Sequence, residues 1–319
     1  MQADNTKQGE SSPPLVVILG PTAVGKTEIA ISIAGRVHGE IISADSRLLY
    51  RGMDIGTAKP SVADRLRVRH HLIDVAEPDE IWSLVKYQQA ARNAAAEVIS
   101  SGALPFLVGG TGQYIRAVVE DWSPPLVIPD QRMRQVLENW GDEISALGLH
   151  QRLSVLDPTA AKKIEPNNLR RSIRALEVIF STGQRFSELR KRGAPVYDCL
   201  QLGIRRPRTE LYERIDTRIK AMLANGFIDE VQDLLDHGYK ANLPSMSAIG
   251  YFEISAYLAG MVTLEEAVRL VKRRTRQYVR RQANWFKAND PGIHWFDFSE
   301  SIVDDLVREI LSWGKIRIG

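Results

Sequence analysis

The residues best suited to chemistry form a glycine-bounded segment near the N-terminus. It reads GPTAVGKT over 20–27, and its spacing matches G-x-x-x-x-G-K-[ST], the pattern of a phosphate-binding loop. The two glycines let several backbone N–H groups face one anion, and the helix that follows adds its positive N-terminal end. A lysine adds charge, and the final threonine can hold a magnesium ion. The predicted ligands of the phosphate are Gly20, Thr22, Ala23, Val24, Gly25, Lys26 and Thr27, with Thr27 also the predicted magnesium ligand. The loop leaves open whether the phosphate belongs to a nucleotide or to another diphosphate ester.

Two more polar side chains follow predicted strands at the same edge of the sheet. Asp45 comes directly after a strand at 40–44, and Thr111 lies in a second glycine turn after a strand at 104–108. Ligands of parallel α/β sheets bind beyond the carboxyl ends of the strands. Either residue could be a simple helix cap, and Asp45 could be a surface carboxylate. Their position beside the phosphate loop favours a catalytic carboxylate and a hydroxyl directed at the reaction centre.

Positive charge is concentrated on two predicted helices. A helix at 168–182 carries three arginines at near i,i+3 and i,i+4 spacing: Arg170, Arg171 and Arg174. A longer helix begins at a capping box, 263–266, and holds eight cations and no acid between Arg269 and Lys287. A charge run is usually a solvated helix face. Pairs along one helix cannot balance this run, however, so we favour contacts with nucleic-acid phosphates.

Composition excludes several classes of protein. A length of 319 residues indicates about two domains, and 44% hydrophobic with 25% charged residues is ordinary for a globular chain. The net charge of +3 is modest, so a nucleic-acid partner requires a local patch. The single cysteine, Cys199, excludes an internal disulfide and suits a reducing cytoplasm, where we expect the protein. We predict neither a signal peptide nor a membrane helix.

The elements that position these residues alternate between strand and helix. Apolar runs predict strands at 15–19, 40–44, 70–74, 104–108, 199–204 and 293–298. With the phosphate loop after the first strand, the pattern predicts an α/β fold: a P-loop NTPase-like parallel sheet flanked by helices. From Trp122 to about Pro195 the chain reads as nearly all helix, which we interpret as an all-helical insertion domain. The predicted boundaries are a disordered tail at 1–14, a core of 15–122 with 197–319, and the insertion at 123–196.

Together the motifs resemble one family. The phosphate loop is followed in order by DSRLLYRGMDIGTAKP at 45–60, HHLID at 70–74, GGTGQYIRA at 109–117, NLRRSIRALEV at 168–178, RIDTRI at 214–219, IGY at 249–251 and TRQYVRRQANWF at 275–286. In this combination the chain resembles the tRNA dimethylallyltransferases (tRNA isopentenyltransferases). Phe252 departs from the pattern, since many members have a lysine after IGY. The zinc finger of some eukaryotic members is absent.

The resemblance implies transfer of a dimethylallyl group from dimethylallyl diphosphate to the exocyclic amine of the adenosine 3′ to the anticodon. It implies that Asp45 is the base and Thr111 the catalytic threonine, that Arg214 and Arg218 clamp the diphosphate, and that Mg²⁺ is the cofactor, bound by Thr27 and Asp45. The residues implied to contact tRNA are Asp45, Ser46, Arg47, Leu48, Thr111, Arg170, Arg171, Arg174, Arg273, Arg276, Gln277 and Arg280. The expected partners are the tRNA anticodon stem-loop and the donor, with no membrane, and the chain is expected to act as a monomer.

Two other functions stay open. One is a small-molecule enzyme, either an adenylate isopentenyltransferase or a P-loop kinase, although the basic helix and the insertion count against it. The other is a P-loop protein that binds RNA and uses ATP only as a switch. His70 and His71 lack a metal-ligand partner at a usable spacing, so we interpret them as structural. Tyr278, Trp285 and Phe286 are interpreted as core residues rather than base-stacking platforms.

Overall fold

A parallel sheet of six strands organises the larger part of the chain. The computed structural model describes residues 12–123, 125, 130–189 and 191–318. In chain order the strands are β1 (Pro14–Leu19), β2 (Gly39–Ala44), β3 (His70–His71), β4 (Leu104–Gly109), β5 (Trp122–Ser123), β6 (Lys191–Arg192), β7 (Asp198–Arg205) and β8 (Ile293–Asp297). Six of them form the sheet in the spatial order β3-β2-β4-β1-β7-β8, with every pairing parallel. The predicted α/β fold class is therefore confirmed, and each of the six predicted strands is present.

The central strand β1 is apolar because both of its faces are buried. Val16 and Ile18 belong to the core on one face of the sheet, and Leu15 and Leu19 belong to the core on the other face. A parallel strand covered by helices on both faces needs such a continuous apolar run. The chain leaves β1 for β2 in one direction and leaves its neighbour β4 for β7 in the other. Ligands of open α/β sheets bind beyond strand ends at such a reversal.

The helices have well-defined starts. They are α1 (Lys26–Arg36), α2 (Val62–Arg67), α3 (Leu84–Ser100), α4 (Gly112–Val119), α5 (Gln131–Leu156), α6 (Pro158–Ala161), α7 (Leu169–Thr182), α8 (Phe186–Leu189), α9 (Arg208–Ala224), α10 (Phe227–Asp236), α11 (Tyr251–Leu258), α12 (Leu264–Ala283) and α13 (Ile302–Ile318). The predicted capping box of α12 is confirmed: the Thr263 hydroxyl accepts from the Glu266 amide, and the Glu266 carboxylate accepts in return. Among the described residues, no helix is long and apolar enough to cross a membrane.

The chain divides into two compact units, Met1–Val119 with Pro195–Gly319 and, between them, Glu120–Ala194. The second unit contains α5 to α8 and the short antiparallel pair of β5 and β6. Its core is built from leucine, isoleucine and alanine side chains, among them Leu149, Leu153 and Leu176. Asp157 caps α6 with Pro158 in the first turn, and α7 ends at Gly183 in the left-handed conformation. Ser145 interrupts α5 with a positive φ of 70°.

Three predicted boundaries are wrong. The basic helix α12 ends at Ala283, so Trp285, Phe286 and Lys287 lie beyond it. Pro14 belongs to β1 rather than to a tail, because the amide of Asp198 donates to the preceding carbonyl of Pro13 and Pro14 pairs with β7. The rest of the predicted tail, residues 1–11, lies outside the described residues. The predicted strand at 70–74 stops after two residues.

Candidate active site

The phosphate-binding loop joins β1 to the first turn of α1. Gly25 precedes the helix with a φ of 105°, a conformation that favours glycine, and Ala23 also has a positive φ of 64°. Both conformations turn successive peptide groups within a short segment. The loop therefore has the local geometry expected of an anion-binding turn at a helix N-terminus.

Three cationic side chains hold carbonyl groups of this loop. Lys26 Nζ donates to the Pro21 carbonyl at 2.8 Å. Arg214 Nε donates to the Ala23 carbonyl at 2.8 Å, and Arg206 Nε donates to the Val24 carbonyl at 3.0 Å. In a planar trans peptide, the N–H points away from the C=O of the same unit. Each cation therefore fixes the orientation of one peptide unit of the loop, with the N–H of that unit directed away from the bonded carbonyl.

The Lys26 amine is in an unusual electrostatic position. Burial lowers the pKa of Lys26 to about 8, the negative charge of Asp45 opposes that fall, and the Arg218 guanidinium adds to it. Burial also lowers the pKa of Arg218, again against the influence of Asp45. Asp45 is thus close enough to act on both cations, as its predicted place beside the phosphate loop requires. Arg218 also donates from Nη2 to the Thr57 carbonyl at 3.1 Å.

Asp45 and Thr111 lie side by side at the ends of adjacent strands. The final pair in the register of β2 and β4 is Ala44 with Gly109, and the Thr111 amide donates to the Ala44 carbonyl at 3.2 Å. The Thr111 hydroxyl accepts from the amide of Ser46 at 3.2 Å. One oxygen of the Asp45 carboxylate accepts from the amide of Arg47 at 2.9 Å. These bonds hold each side chain to the backbone of the segment after β2, although the catalytic roles of Asp45 and Thr111 stay predictions.

Three tyrosines enclose this pair. A side-chain hydrogen bond joins Tyr278 to Thr111, and burial, reinforced by the charge of Asp45, raises the pKa of Tyr278 to about 12. The Tyr87 hydroxyl donates to the Ser43 carbonyl at 3.0 Å, and its ring stacks on that of Tyr114 with 3.7 Å between centroids. Burial raises the pKa of Tyr87 well above its usual value. Burial also raises the pKa of Tyr114, so all three phenols stay neutral, and Tyr87 and Tyr278 make hydrogen bonds beside the pair.

Gln282 connects the two glycine turns. Its Oε1 accepts from the Thr22 amide in the phosphate loop at 2.9 Å, and its Nε2 donates to the Gly110 carbonyl before Thr111 at 3.0 Å. Arg206, Tyr278 and Gln282 are site residues that sequence reasoning missed. The available signal was the i,i+4 spacing of Tyr278 and Gln282, which places two hydrogen-bonding side chains on one face of a basic helix.

The segment 52–60 is anchored by a carboxylate of another element. Glu230 accepts from three consecutive amides, of Asp54 at 2.9 Å, Ile55 at 2.6 Å and Gly56 at 3.1 Å, and from the Tyr251 hydroxyl at 2.5 Å. The Lys59 side chain is 2% exposed and bonds to the carboxylates of Asp54 and Asp74. The segment is therefore fixed by the interior of the first unit.

The predicted structural histidines have local partners. His71 Nε2 lies 2.7 Å from the Glu40 carboxylate, and His70 Nδ1 lies 2.7 Å from the Val68 carbonyl. Burial lowers the pKa of His70. Within the described part of the chain, no group of three or more His, Cys, Asp and Glu residues could hold a metal ion.

Comparison with known proteins identifies the family. A family model described as IPP transferase matches residues 48–289. The chain belongs to the IPP transferase family. It is 50% identical over 274 residues to a tRNA dimethylallyltransferase of Roseiflexus sp. (strain RS-1), covering 86% of this chain and 90% of that protein. It is 48% identical over 290 residues to the enzyme of the same name from Desulforudis audaxviator (strain MP104C), covering 90% and 93%. The predicted resemblance is confirmed.

Solved structures agree with this membership. The full-length tRNA isopentenylpyrophosphate transferase of Bacillus halodurans superposes with a TM-score of 0.70 at 41% identity, covering 94% of this chain and 96% of that one. A eukaryotic dimethylallyltransferase, described as acting on tRNA, superposes with a TM-score of 0.76 at 26% identity. That match covers 94% of this chain and 78% of the eukaryotic chain.

The basic helix of this IPP transferase carries two kinds of cation. Lys272 and Arg276 pair with Asp216 of α9 at 3.5 and 2.9 Å, and Arg274 pairs with Glu253 of α11 at 2.8 Å. The sequence analysis considered only pairs along one helix, whereas the acidic partners of these three cations come from neighbouring helices. The remaining cations of α12 have exposed side chains: Arg269, Arg273, Arg280 and Arg281. Gln277 is also exposed.

A cavity of about 510 Å³ lies along this helix and α9. Arg269, Arg273 and Arg280 line it together with the paired residue Arg276 and with Tyr212, whose ring lies 5.1 Å from the Arg276 guanidinium. The predicted RNA-contacting cations of α12 thus share one concave surface, although Arg276 is already held by the protein. Contact with RNA stays a prediction for each of them.

The other predicted RNA contacts differ in how firmly they are held. Arg47 donates from Nη1 to the carbonyl of Pro244 at 2.7 Å and lies beside Ser46 and Leu48, all partly buried. In the second unit, Arg170 and Arg171 have exposed side chains.

Arg174, by contrast, lies 2.7 Å from the buried Glu177 carboxylate, which also accepts from Arg134 at 3.1 Å. Burial would raise the pKa of Glu177, but the hydrogen bonds from the two arginines bring it below its usual value. Arg174 thus holds a buried carboxylate ionised, and Arg170 and Arg171 are the cations of α7 with exposed side chains.

Phe252 occupies the point where the sequence departs from the family pattern. Its ring is 45% exposed and lies 4.9 Å from the Arg274 guanidinium, which in turn pairs with Glu253. An aromatic face and a carboxylate thus share one arginine. Position 252 therefore lacks the expected lysine, and its phenylalanine ring contacts Arg274 of the neighbouring helix instead.

Proposed function

We propose that this chain transfers a dimethylallyl group from dimethylallyl diphosphate to the exocyclic amine of the adenosine 3′ to the anticodon of tRNA. Membership of the IPP transferase family and the names of its relatives support the reaction class. The observation that carries the site assignment is the bridge of Gln282 between the Thr22 amide of the phosphate loop and the Gly110 carbonyl before Thr111. The influence of Asp45 on Lys26 and Arg218 also supports a candidate base beside the phosphate-binding loop.

The diphosphate end of the reaction belongs to the phosphate loop. Backbone N–H groups at the start of α1 and the cations Lys26 and Arg218 favour negative charge there. As the allylic C–O bond breaks, charge accumulates on the departing diphosphate, and these preorganised groups stabilise it. An arriving anion also favours the protonated amine of Lys26, which offsets the effect of burial on its pKa. Arg214 supports the loop from the Ala23 carbonyl.

The amine end of the reaction belongs to Asp45 and Thr111. The lone pair of an adenine amine is delocalised into the ring, so the nitrogen becomes nucleophilic as its proton leaves. The C–N bond forms to the allylic carbon, and the proton passes to the Asp45 carboxylate, which has one oxygen held by the Arg47 amide. Thr111 orients the amine or the bridging oxygen, and Tyr278 fixes Thr111 by a hydrogen bond.

The oxygen donors of the site fit a magnesium ion. Mg²⁺ commonly binds through one or two carboxylates or hydroxyls together with substrate phosphates, rather than in a cage made by protein alone. Thr27 and Asp45 supply such oxygens near the phosphate loop. When bound, the ion would neutralise charge on the diphosphate. The assignment of Thr27 and Asp45 as its ligands is part of the proposal.

The exposed arginines of α12 and α7 suit the phosphates of an RNA stem-loop. A loop adenosine can leave its stack at lower cost than a paired one, which allows its amine to reach a buried carboxylate. The proposal includes a channel from the RNA surface to the donor. It also includes a cytoplasmic monomer as the active form.

Incubation with an unmodified tRNA anticodon stem-loop, Mg²⁺ and dimethylallyl diphosphate tests the proposal. Mass spectrometry should find one added dimethylallyl group on the adenosine 3′ to the anticodon, and none when that adenosine is replaced by guanosine. A parallel incubation with AMP tests the adenylate isopentenyltransferase alternative. Prenylation of AMP without prenylation of RNA would overturn the proposal.

A further inference from the structure

We propose that Gln282 is a positioning residue of the transfer reaction. Its carboxamide spans from the phosphate loop to the turn before Thr111, with hydrogen bonds of 2.9 Å to the Thr22 amide and 3.0 Å to the Gly110 carbonyl. The inference rests on the proposed function for the reaction that it serves. In this proposal, Gln282 sets the distance between the donor's diphosphate and the pair formed by Asp45 and Thr111.

The chemistry of the two contacts suits a carboxamide. The Thr22 amide can only donate, and the Gly110 carbonyl can only accept. A side chain that satisfies both must present an acceptor and a donor at once, and the carboxamide of Gln282 does so from one short planar group. Gln282 is 3% exposed, so losing either bond would leave a buried polar group unpaired.

The contact with the loop fixes a whole peptide unit. The carbonyl of Pro21 accepts from Lys26 at 2.8 Å, while the N–H of the same unit, on Thr22, donates to Gln282. A trans peptide is rigid and planar. With both of its ends held, this unit sets the orientation of the first turn of the loop. Gln282 and Lys26 thus hold the two ends of this peptide unit, while Arg206 and Arg214 hold carbonyls further along the loop.

The opposite contact leaves no space for adjustment. A Cβ atom added at Gly110 would lie 2.2 Å from Gln282 Nε2, and one added at Gly112 would lie 2.3 Å from the Trp285 ring. The glycines of the second turn therefore admit the end of α12 and the residues after it at close range. This packing holds the carboxamide in place between the turns.

The bridge is part of the same helix as the exposed arginines. Gln282 follows Arg273 by nine residues, which at about 100° per residue places the two side chains on opposite faces of α12. Tyr278, bonded to Thr111, is one turn before Gln282. One rigid element therefore carries cations on its outer face and positions both reacting ends on its inner face.

The reaction is sensitive to this spacing because transfer needs the amine nitrogen and the allylic carbon in near contact. A misplacement of about 1 Å can cost on the order of 100-fold in rate. Gln282 touches neither reactant in this assignment. It acts through Thr22 and Gly110.

The first test replaces Gln282 by methionine, which has nearly the same shape and lacks both hydrogen-bonding groups. At saturating donor and RNA, kcat should fall about 10- to 100-fold. The Kd for the RNA stem-loop should stay within about twofold, because the outer face of α12 is unchanged. Gln232→Met is the matched control, since Gln232 is exposed and bonds to Asp236 within its own helix. An unchanged kcat in Gln282→Met would overturn the proposal.

A second test perturbs the bridge from its other end. Gly110→Ala introduces a Cβ against Gln282 Nε2, so kcat should fall by at least about tenfold in the natural background. After Gln282→Ala has removed the carboxamide, the same change at Gly110 should cost less than about threefold. Equal losses in both backgrounds would overturn the proposal, even where Gln282→Met is too unstable to measure.

The proposed function and the bridge can fail separately. If the natural protein transfers no prenyl group to RNA, the proposed function is wrong. The bridge is then tested by titration with inorganic diphosphate and Mg²⁺. About tenfold weaker binding in Gln282→Met than in the natural protein would support the bridge. Equal binding would refute it.

Discussion

Two clusters of cations in this protein are put to different uses. Around the phosphate loop, Lys26, Arg206 and Arg214 donate to backbone carbonyls and shape the loop. On the outer face of α12, Arg273 and Arg280 are exposed and line a cavity. Cations that are hydrogen-bonded to the backbone shape a site for a small anion such as diphosphate. Exposed cations can contact the phosphates of a large ligand such as RNA. The number of cations in the sequence does not distinguish the two clusters. The hydrogen-bond partners of each side chain in the structure do.

The largest effect should come from the carboxylate beside the phosphate loop. Asp45→Asn keeps an oxygen for the Arg47 amide and removes the base, so the transfer rate should fall about 100- to 10,000-fold. The Kd for the RNA stem-loop, measured by fluorescence anisotropy, should change by less than about threefold. A rate within threefold of the natural protein would show that another group takes the proton.

Charge reversal on the outer face of α12 should act on binding instead. Arg273→Glu with Arg280→Glu should weaken binding of the stem-loop about 10- to 100-fold at low salt and leave the affinity for inorganic diphosphate unchanged. The dependence of log K on log salt should lose about one unit of slope for each lost phosphate contact. Lys220→Glu, an exposed change on α9, is the control. An unaltered salt slope would remove α12 from the RNA-binding surface.

Proton binding at Lys26 should make donor binding depend on pH. Burial lowers the pKa of this amine to about 8, so below that pH the amine is charged and the donor affinity should be constant. Above pH 8 the amine loses its proton, and the affinity should fall by up to about tenfold per pH unit. Calorimetric titration with the donor from pH 6 to 10 measures this dependence of the affinity on pH. The arginine of Lys26→Arg stays charged throughout this range, so the donor affinity of that variant should not fall above pH 8.

The smallest effect is expected at the position that departs from the family pattern. Phe252→Lys removes the aromatic face from Arg274 and places a second cation near it. The free energy of unfolding, measured by urea denaturation, should fall by about 0.5 to 1 kcal/mol. The transfer rate should stay within about twofold. A more stable variant would mean that the Glu253 carboxylate accepts the new cation more readily than the ring accepts the old one.

Much of the fold could be predicted from local signals. The strands around β1 are continuous apolar runs, and the caps at Asp157 and Thr263 are read from neighbouring residues. The phosphate loop and its place before α1 follow from eight consecutive residues. Such features depend on a few neighbouring residues, and they can therefore be predicted from the sequence.

The features that could not be predicted depend on distant partners. Gln282 meets Thr22 across 260 positions, and Arg276 meets Asp216 across 60. The residues next to Gln282 and Arg276 in the sequence do not indicate which backbone group or carboxylate each side chain contacts. The end of α12 at Ala283 was also missed, because the aromatic residues after it fit a helical pattern, whereas Phe286 lies beyond the helix and packs in the core.

The carboxylate of Glu230 has a consequence for ligand selection. Three successive amides at 54–56 converge on it, which is the arrangement that elsewhere captures a phosphate group. Here the protein supplies the anion from its own chain. These three amides are therefore already bonded, and a phosphate group would have to displace the Glu230 carboxylate to bind them.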